Sequence, residues 1–203
     1  MNLYDWRKAF DMQCPKLGLE SFIKNGVRPS LLPVLKKFLQ NRKMTVKWHN
    51  KFSTERSLNG GGPQGGTLGI WKYLSQTNKN LEFVDEDDQF KFVDDASALE
   101  IINLLSIGIA SYNFKQHVHS KIPSHNQFIP KENLQSQQYL EKLNTWSNNQ
   151  KMQLNLEKTK LMLFNFSKNN QFTTFLSLED HNIEIVDKIK LLGTTIISDL
   201  KWD

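Results

Sequence analysis

The chain has 203 residues, with 26 Lys and Arg against 21 Asp and Glu and a formal net charge of +5. That length reads as one domain able to bury a real core, and the single cysteine, Cys14, excludes an intramolecular disulfide framework and points to a reducing compartment. No charged-then-apolar leader opens the chain, and its most apolar run, Ile101 to Ala110, is interrupted by Asn103 and Ser106 and is too short for a bilayer, so neither secretion nor a membrane span is expected.

Charge is unevenly spread. Residues 1–60 carry 12 Lys and Arg against 4 Asp and Glu, and the remainder is slightly acidic. A basic front half suits a polyanion such as nucleic acid, although a Lys-rich surface alone gives the same count.

Met1 to Tyr4 reads as a short strand that delivers Asp5 to its end, and Lys8-Ala9-Phe10 turns away from it. Pro15 to Asn25 reads as a helix, with Pro15 in its first turn, Leu19, Phe22 and Ile23 on its apolar face, and Gly26 as its stop. A second helix is expected from Ser30 to Leu39, with Leu31, Leu35, Phe38 and Leu39 inward and Lys36 and Lys37 toward solvent or a phosphate backbone. Met44, Val46 and Trp48 alternate with polar residues as in a strand; a turn at His49-Asn50-Lys51 leads to another around Phe52 to Leu58.

Gly60-Gly61-Gly62-Pro63-Gln64-Gly65-Gly66 then enters a helical pattern of Ile70, Trp71, Tyr73 and Leu74. Such a loop lets backbone approach a ligand closely. It is not a Walker loop, since no Gly-Lys-Ser/Thr follows. Asp85 to Asp88 reads as a solvated connection. Phe90 and Phe92 alternate with Lys91 and Val93, and Ala96 to Leu99 can return beside them, so Asp94 and Asp95 fall at the tip of a tight hairpin. Two adjacent carboxylates there suit Mg²⁺, which takes one or two carboxylates plus substrate phosphates; a plain solvated turn is the alternative.

Residues 112–132 are polar and broken by Pro123 and Pro130, and read as an inserted loop. Its His117, His119 and His125 fall short of the four ligands that a structural zinc site wants. Asn133 to Asn149 is an amphipathic helix with Leu140, Leu143 and Trp146 at helical spacing. Strands are expected over Lys160 to Phe166, around Ile183 and Ile185, and over Lys190 to Ile196.

In this order, five segments resemble the palm of reverse transcriptases, most closely those of non-LTR retrotransposons. Asp5-Trp6-Arg7-Lys8-Ala9-Phe10-Asp11 looks like the family's first palm motif. Gly62-Pro63-Gln64-Gly65 with Leu68-Gly69 looks like the second, and Phe92-Val93-Asp94-Asp95 like the third. Trp146, Met152 to Asn155 and Lys158-Thr159-Lys160 resemble the fourth, and Leu191-Leu192-Gly193 the fifth, the primer grip.

The resemblance implies an α+β fold: an antiparallel polymerase-palm sheet, ferredoxin-like, with helices on one face. It implies RNA-directed DNA polymerase activity on an RNA template, a DNA primer and deoxynucleoside triphosphates. Asp5, Asp94 and Asp95 would be the catalytic carboxylates, holding two Mg²⁺ ions with Mn²⁺ as a substitute. Phe10 resembles the steric gate. Gly62, Pro63, Gln64 and Gly65 resemble the nucleotide and template contacts, and Lys158 matches a residue that meets the pyrophosphate. Leu192 and Gly193 would support the primer end. The whole chain is expected to be a partial palm of a retrotransposon polyprotein, with the fingers before it, the thumb after it, and an endonuclease if the polyprotein carries one. It would work in the nucleus or a cytoplasmic ribonucleoprotein. The isolated chain is then expected to be weak or inactive, because positioning supplies much of the rate. The alternatives are an inactive palm remnant that binds nucleic acid and a metal-dependent nuclease; the nuclease leaves the Gly62 to Gly65 loop unexplained.

Overall fold

A computed structural model describes residues 1–102, 126–166 and 171–200. Its centre is a five-stranded sheet. In chain order its strands are β1 (Asn2–Tyr4), β6 (Gln89–Phe92), β7 (Asp95–Ala98), β9 (Lys160–Leu161) and β13 (Glu184–Ile185), arranged β13-β9-β1-β7-β6. The numbers between belong to short ladders outside the sheet: β2 (Arg42–Met44) with β5 (Arg56–Leu58), β3 (Lys47–Trp48) with β4 (Lys51–Phe52), β8 (Asn126–Phe128) with β10 (Gln171–Thr173), β11 (Ser177–Leu178) with β12 (His181–Asn182), and β14 (Lys188–Leu191) with β15 (Thr194–Ile197).

β1 is the middle strand, and all three of its residues are buried. It pairs antiparallel with β7 and β9, and β7 pairs antiparallel with β6. The fully antiparallel expectation fails at one edge, where β13 runs parallel to β9. Helices and an antiparallel majority make the architecture α+β.

Four α-helices are described: α1 (Pro15–Lys24), α2 (Leu32–Leu39), α3 (Thr67–Thr77) and α4 (Gln135–Asn149). Two of them close the main core. Leu140 and Leu143 of α4 and Tyr73 of α3 are fully buried with Tyr4, Ala96 and Ala98 of the sheet. A polar peg fixes α4 to the central strand: Asn2 Nδ2 donates to Ser136 Oγ at 2.7 Å inside the core. The first turn of α4 is capped from a distance. Both Glu100 carboxylate oxygens accept backbone N–H bonds, from Gln135 at 2.9 Å and Ser136 at 2.8 Å. That satisfies two otherwise orphaned donors and sets an anion at the positive end of the helix dipole.

The expected set of helices on one face of the sheet does not extend to α1 and α2. They instead form a second, smaller cluster of Phe22, Leu35 and Leu39. Ile23 and Leu31, expected inward, are 52% and 51% exposed. Leu31 lies in a 3₁₀ turn, Pro29–Leu31, that precedes α2 and rotates it off the apolar face.

Two other expectations change. Lys160 to Phe166 pairs as a strand only at Lys160–Leu161. Lys190 to Ile196 is not one strand but the two arms of the β14–β15 hairpin, with Leu192 and Gly193 at positive φ in its turn. Of the stretch 112–132, residues from 126 carry β8 and a 3₁₀ turn at Lys131–Asn133; His117, His119 and His125 lie outside the described residues. No described helix is long and apolar enough to cross a membrane.

Candidate active site

Strand register brings the acidic residues of the first and third segments together. Asn2, Leu3 and Tyr4 face Ala98, Ser97 and Ala96 across the β1–β7 ladder. One further step in that register sets Asp5 opposite Asp95. Side chains directly opposite on antiparallel strands are about 5 Å apart at Cβ. Phe92 pairs with Asp95, so Val93 and Asp94 alone make the β6–β7 turn, with φ +55° at Val93.

Because side chains alternate along a strand, Asp5 and Asp95 share the sheet face that carries Phe90 and Phe92, and the core residues Tyr4, Ala96 and Ala98 share the other. Phe90 and Phe92 are more than half exposed, and α4 packs on the opposite face. The carboxylates therefore stand at the exposed end of that face, beside Phe92, while Leu3 and Ser97 farther along it are buried.

The electrostatics agree with that geometry. Partial burial pushes the Asp95 carboxyl above the usual carboxylate range, and the charges of Asp94 and Asp5 push it further. Burial raises the Tyr73 phenol too, and Asp94, Asp5 and Asp95 all add to the effect. One hydroxyl feeling all three carboxylates marks them as a single cluster. Among the described residues, though, no three His, Cys, Asp or Glu side chains form a ready-made metal cage. The donor set instead suits an ion held by one or two carboxylates and completed by phosphate oxygens.

The fourth segment locks Asp5 from its other side. Asn155 N–H donates to the Asp5 carbonyl at 2.9 Å, Arg7 N–H donates to Gln153 O at 2.9 Å, and Trp6 bridges Leu154. Asp5 N–H reaches Thr159 Oγ1 at 3.4 Å, and the Trp6 and Trp146 rings meet at 5.6 Å. Asp5 is thus clamped between β7 and residues 153–159. Lys158, in the same segment, is exposed.

The glycine-rich segment folds against the turn after Asp5. Gly62 N–H donates to Phe10 O at 2.7 Å and Gly61 N–H to Gln13 O at 2.8 Å. Arg42 Nη2 donates to the carbonyls of Gly60 and Gly61 at 2.7 and 2.6 Å. The close approach is required: a Cβ on Gly62 would lie 2.5 Å from Gln13 Oε1, and one on Gly69 only 1.8 Å from the Pro63 carbonyl oxygen. So these glycines serve the chain's own packing. The space over Gly65 and Gly66 is open and remains free for a ligand. Gln64 is exposed and donates to Asp11 Oδ1 at 3.2 Å.

Phe10 stacks on Tyr73 with ring centroids 4.8 Å apart, half-buried at the edge of the main core. Tyr73 did not stand out as a site residue in the sequence, where it reads as one apolar position of a helix; the signal was its place two turns after the glycine loop. Leu192 and Gly193 are not drawn into this cluster by any hydrogen bond described. The ladder they cap is bonded within itself and, through Ser198 N–H, to Asp187 O at 2.8 Å.

No family model matches the chain. A relative was found among known proteins, the "Probable RNA-directed DNA polymerase from transposon X-element" of Drosophila melanogaster, 37% identical over 69 residues. The chain is similar to a transposon polymerase over part of its length. The match covers 34% of this chain and 8% of the relative. Such a partial likeness supports a reverse-transcriptase-like origin and goes no further toward activity.

Proposed function

We propose that this chain is the palm of an RNA-directed DNA polymerase, transferring nucleotides from deoxynucleoside triphosphates to a primer 3′-hydroxyl on an RNA template. What carries the reading is the register that sets Asp5 opposite Asp95 and one residue from Asp94. In this reading Asp5 and Asp94 hold Mg²⁺ and Asp95 assists. Bound Mg²⁺ would supply charge stabilisation to the attacking and leaving oxygens of the displacement. The chain's own residues bind and orient. The carboxylates fix where positive charge collects. The open backbone of Gly65 and Gly66 and the side chain of Gln64 meet the nucleotide and template. Phe10, braced by Tyr73, lies under the sugar and rejects a 2′-hydroxyl. Lys158 meets the pyrophosphate, and Leu192 and Gly193 support the primer end.

The test is Mn²⁺ binding by electron paramagnetic resonance on the full chain, followed by primer extension on an RNA template. Asp5→Asn and Asp94→Asn should each weaken Mn²⁺ binding by about ten-fold or more, as loss of one of few charged ligands requires, and should lower extension below wild type. Mn²⁺ binding that both variants leave unchanged, or that wild type lacks with nucleotide present, defeats the proposal.

A further inference from the structure

Beyond the carboxylate cluster, an uncovered apolar feature is the arm formed by residues 42–58. It is a hairpin of two short ladders, 42–44 with 56–58 and 47–48 with 51–52, joined where the register slips by one residue. Met44 faces Arg56, Val46 and Ser53 exchange bonds at 2.9 Å, Lys47 faces Phe52, and Trp48 faces Lys51 around the His49-Asn50 tip. Every residue from 43 to 57 is exposed, so none of the described residues covers the arm. Its root, however, is bonded to the glycine-rich loop through Arg42.

Strand alternation puts Met44, Val46 and Trp48 on one side of the arm. They are 45%, 55% and 75% exposed. Cross-strand pairing adds Arg56 and Lys51 to that same side. Among the described residues neither cation has a carboxylate partner, because Glu55, the one acid of the arm, is taken by Lys43 at 2.8 Å. On the other side Lys47 already covers the Phe52 ring, 5.6 Å from its centroid. The Trp48 side therefore offers an exposed indole, edge-on to His49 at 5.0 Å between ring centroids, with unpaired Lys51 directly across from it and unpaired Arg56 farther back across from Met44.

We infer that this side of the arm binds single-stranded RNA, with a base stacked on Trp48 and flanking phosphates on Lys51 and Arg56. Charge complementarity selects the occupant. An apolar protein partner would gain nothing from two unpaired cations along the same side of the arm, whereas a single strand presents a flat base every nucleotide and a phosphate between each. The inference rests on the polymerase reading for the choice of RNA, since the root of the arm lies beside the proposed template contacts.

The experiment uses the full chain and a fluorescein-labelled oligouridylate of about 12 nucleotides, with anisotropy read from about 50 to 200 mM salt. Trp48→Ala should weaken binding roughly ten-fold with little change in salt dependence. Lys51→Ala with Arg56→Ala should flatten the slope of log affinity against log salt by about 1.4, or 0.7 per lost phosphate contact. Lys142→Ala, an exposed cation on α4, which packs on the sheet face opposite the carboxylates, should change binding less than two-fold, roughly the size of a remote surface effect. Binding that the arm variants leave intact overturns the inference, as does a wild type that binds no RNA. So does a wild-type dimer that Trp48→Ala converts to monomer. Mn²⁺ binding at Asp5 and Asp94 is read separately, so the arm can fail while the polymerase reading stands, and the reverse.

Discussion

Lys72 is a buried cation with one neutral partner. Its stem lies against Gly18 of α1, where even a Cβ would come 2.5 Å from Lys72 Cε, and its Nζ donates to Gln13 Oε1 at 2.9 Å. Burial, reinforced by Arg42, lowers its pKa from the usual 10.5 to about 8, with Cys14 opposing. Below pH 8 the folded chain carries the buried charge. Between 8 and 10.5 the folded state is neutral at this site and the unfolded state is protonated, so stability rises with pH across that window. The gap corresponds to about 3 kcal/mol. Lys72→Met keeps the stem, removes the charge and strands Gln13 Oε1, at a cost of about 1–3 kcal/mol. At pH 7 the variant should therefore equal wild type or exceed it by up to about 2 kcal/mol; above pH 10.5 it should be less stable by about 1–3 kcal/mol, having lost a hydrogen bond and gained nothing. Urea unfolding followed by tryptophan fluorescence at several pH values gives the difference directly. A difference that stays constant with pH, or that moves in Met's favour as pH rises, refutes the reasoning.

Gly69→Ala drives a methyl into the Pro63 carbonyl, 1.8 Å away, and should cost about 3 kcal/mol or more in a thermal melt. Gly65→Ala, at φ +82° but in open space, should cost only about 1 kcal/mol in the same melt. Glu100→Ala removes both acceptors at the start of α4 and should lower stability by about 1–2 kcal/mol, with Glu100→Gln losing less; an unchanged urea midpoint for the Ala variant would show that water caps the helix as well.

The acidic hairpin was legible because Phe90 and Phe92 alternate and only two residues separate the arms of its ladder. Asp5 was legible as the end of a short strand. The parallel edge was not, since two paired residues such as Glu184–Ile185 carry no period. The β14–β15 hairpin hid behind Leu191 and Leu192, which make its turn look like strand interior until Gly193 is given a positive φ. Lys72 was illegible for a plainer reason. A lysine within a helix reads as a solvent position, and only the packing of α3 against α1 shows that its ammonium is enclosed. The exposure of Ile23 and Leu31 has the converse cause: helical spacing names an apolar face but not whether a second layer arrives to cover it.

The turn that presents Asp94 also has a mechanical side. Val93 takes φ +55°, a slot that two-residue hairpins usually give to glycine and that a β-branched residue enters only under strain, at a cost of about 1–3 kcal/mol. Its side chain is half-buried against the main core, and that packing is what keeps the turn loaded. The spacing of the carboxylates is therefore tensioned from behind, like a bow held by its grip: loosening the core under Val93 would let the tip relax and the acids drift apart without any change to the acids themselves.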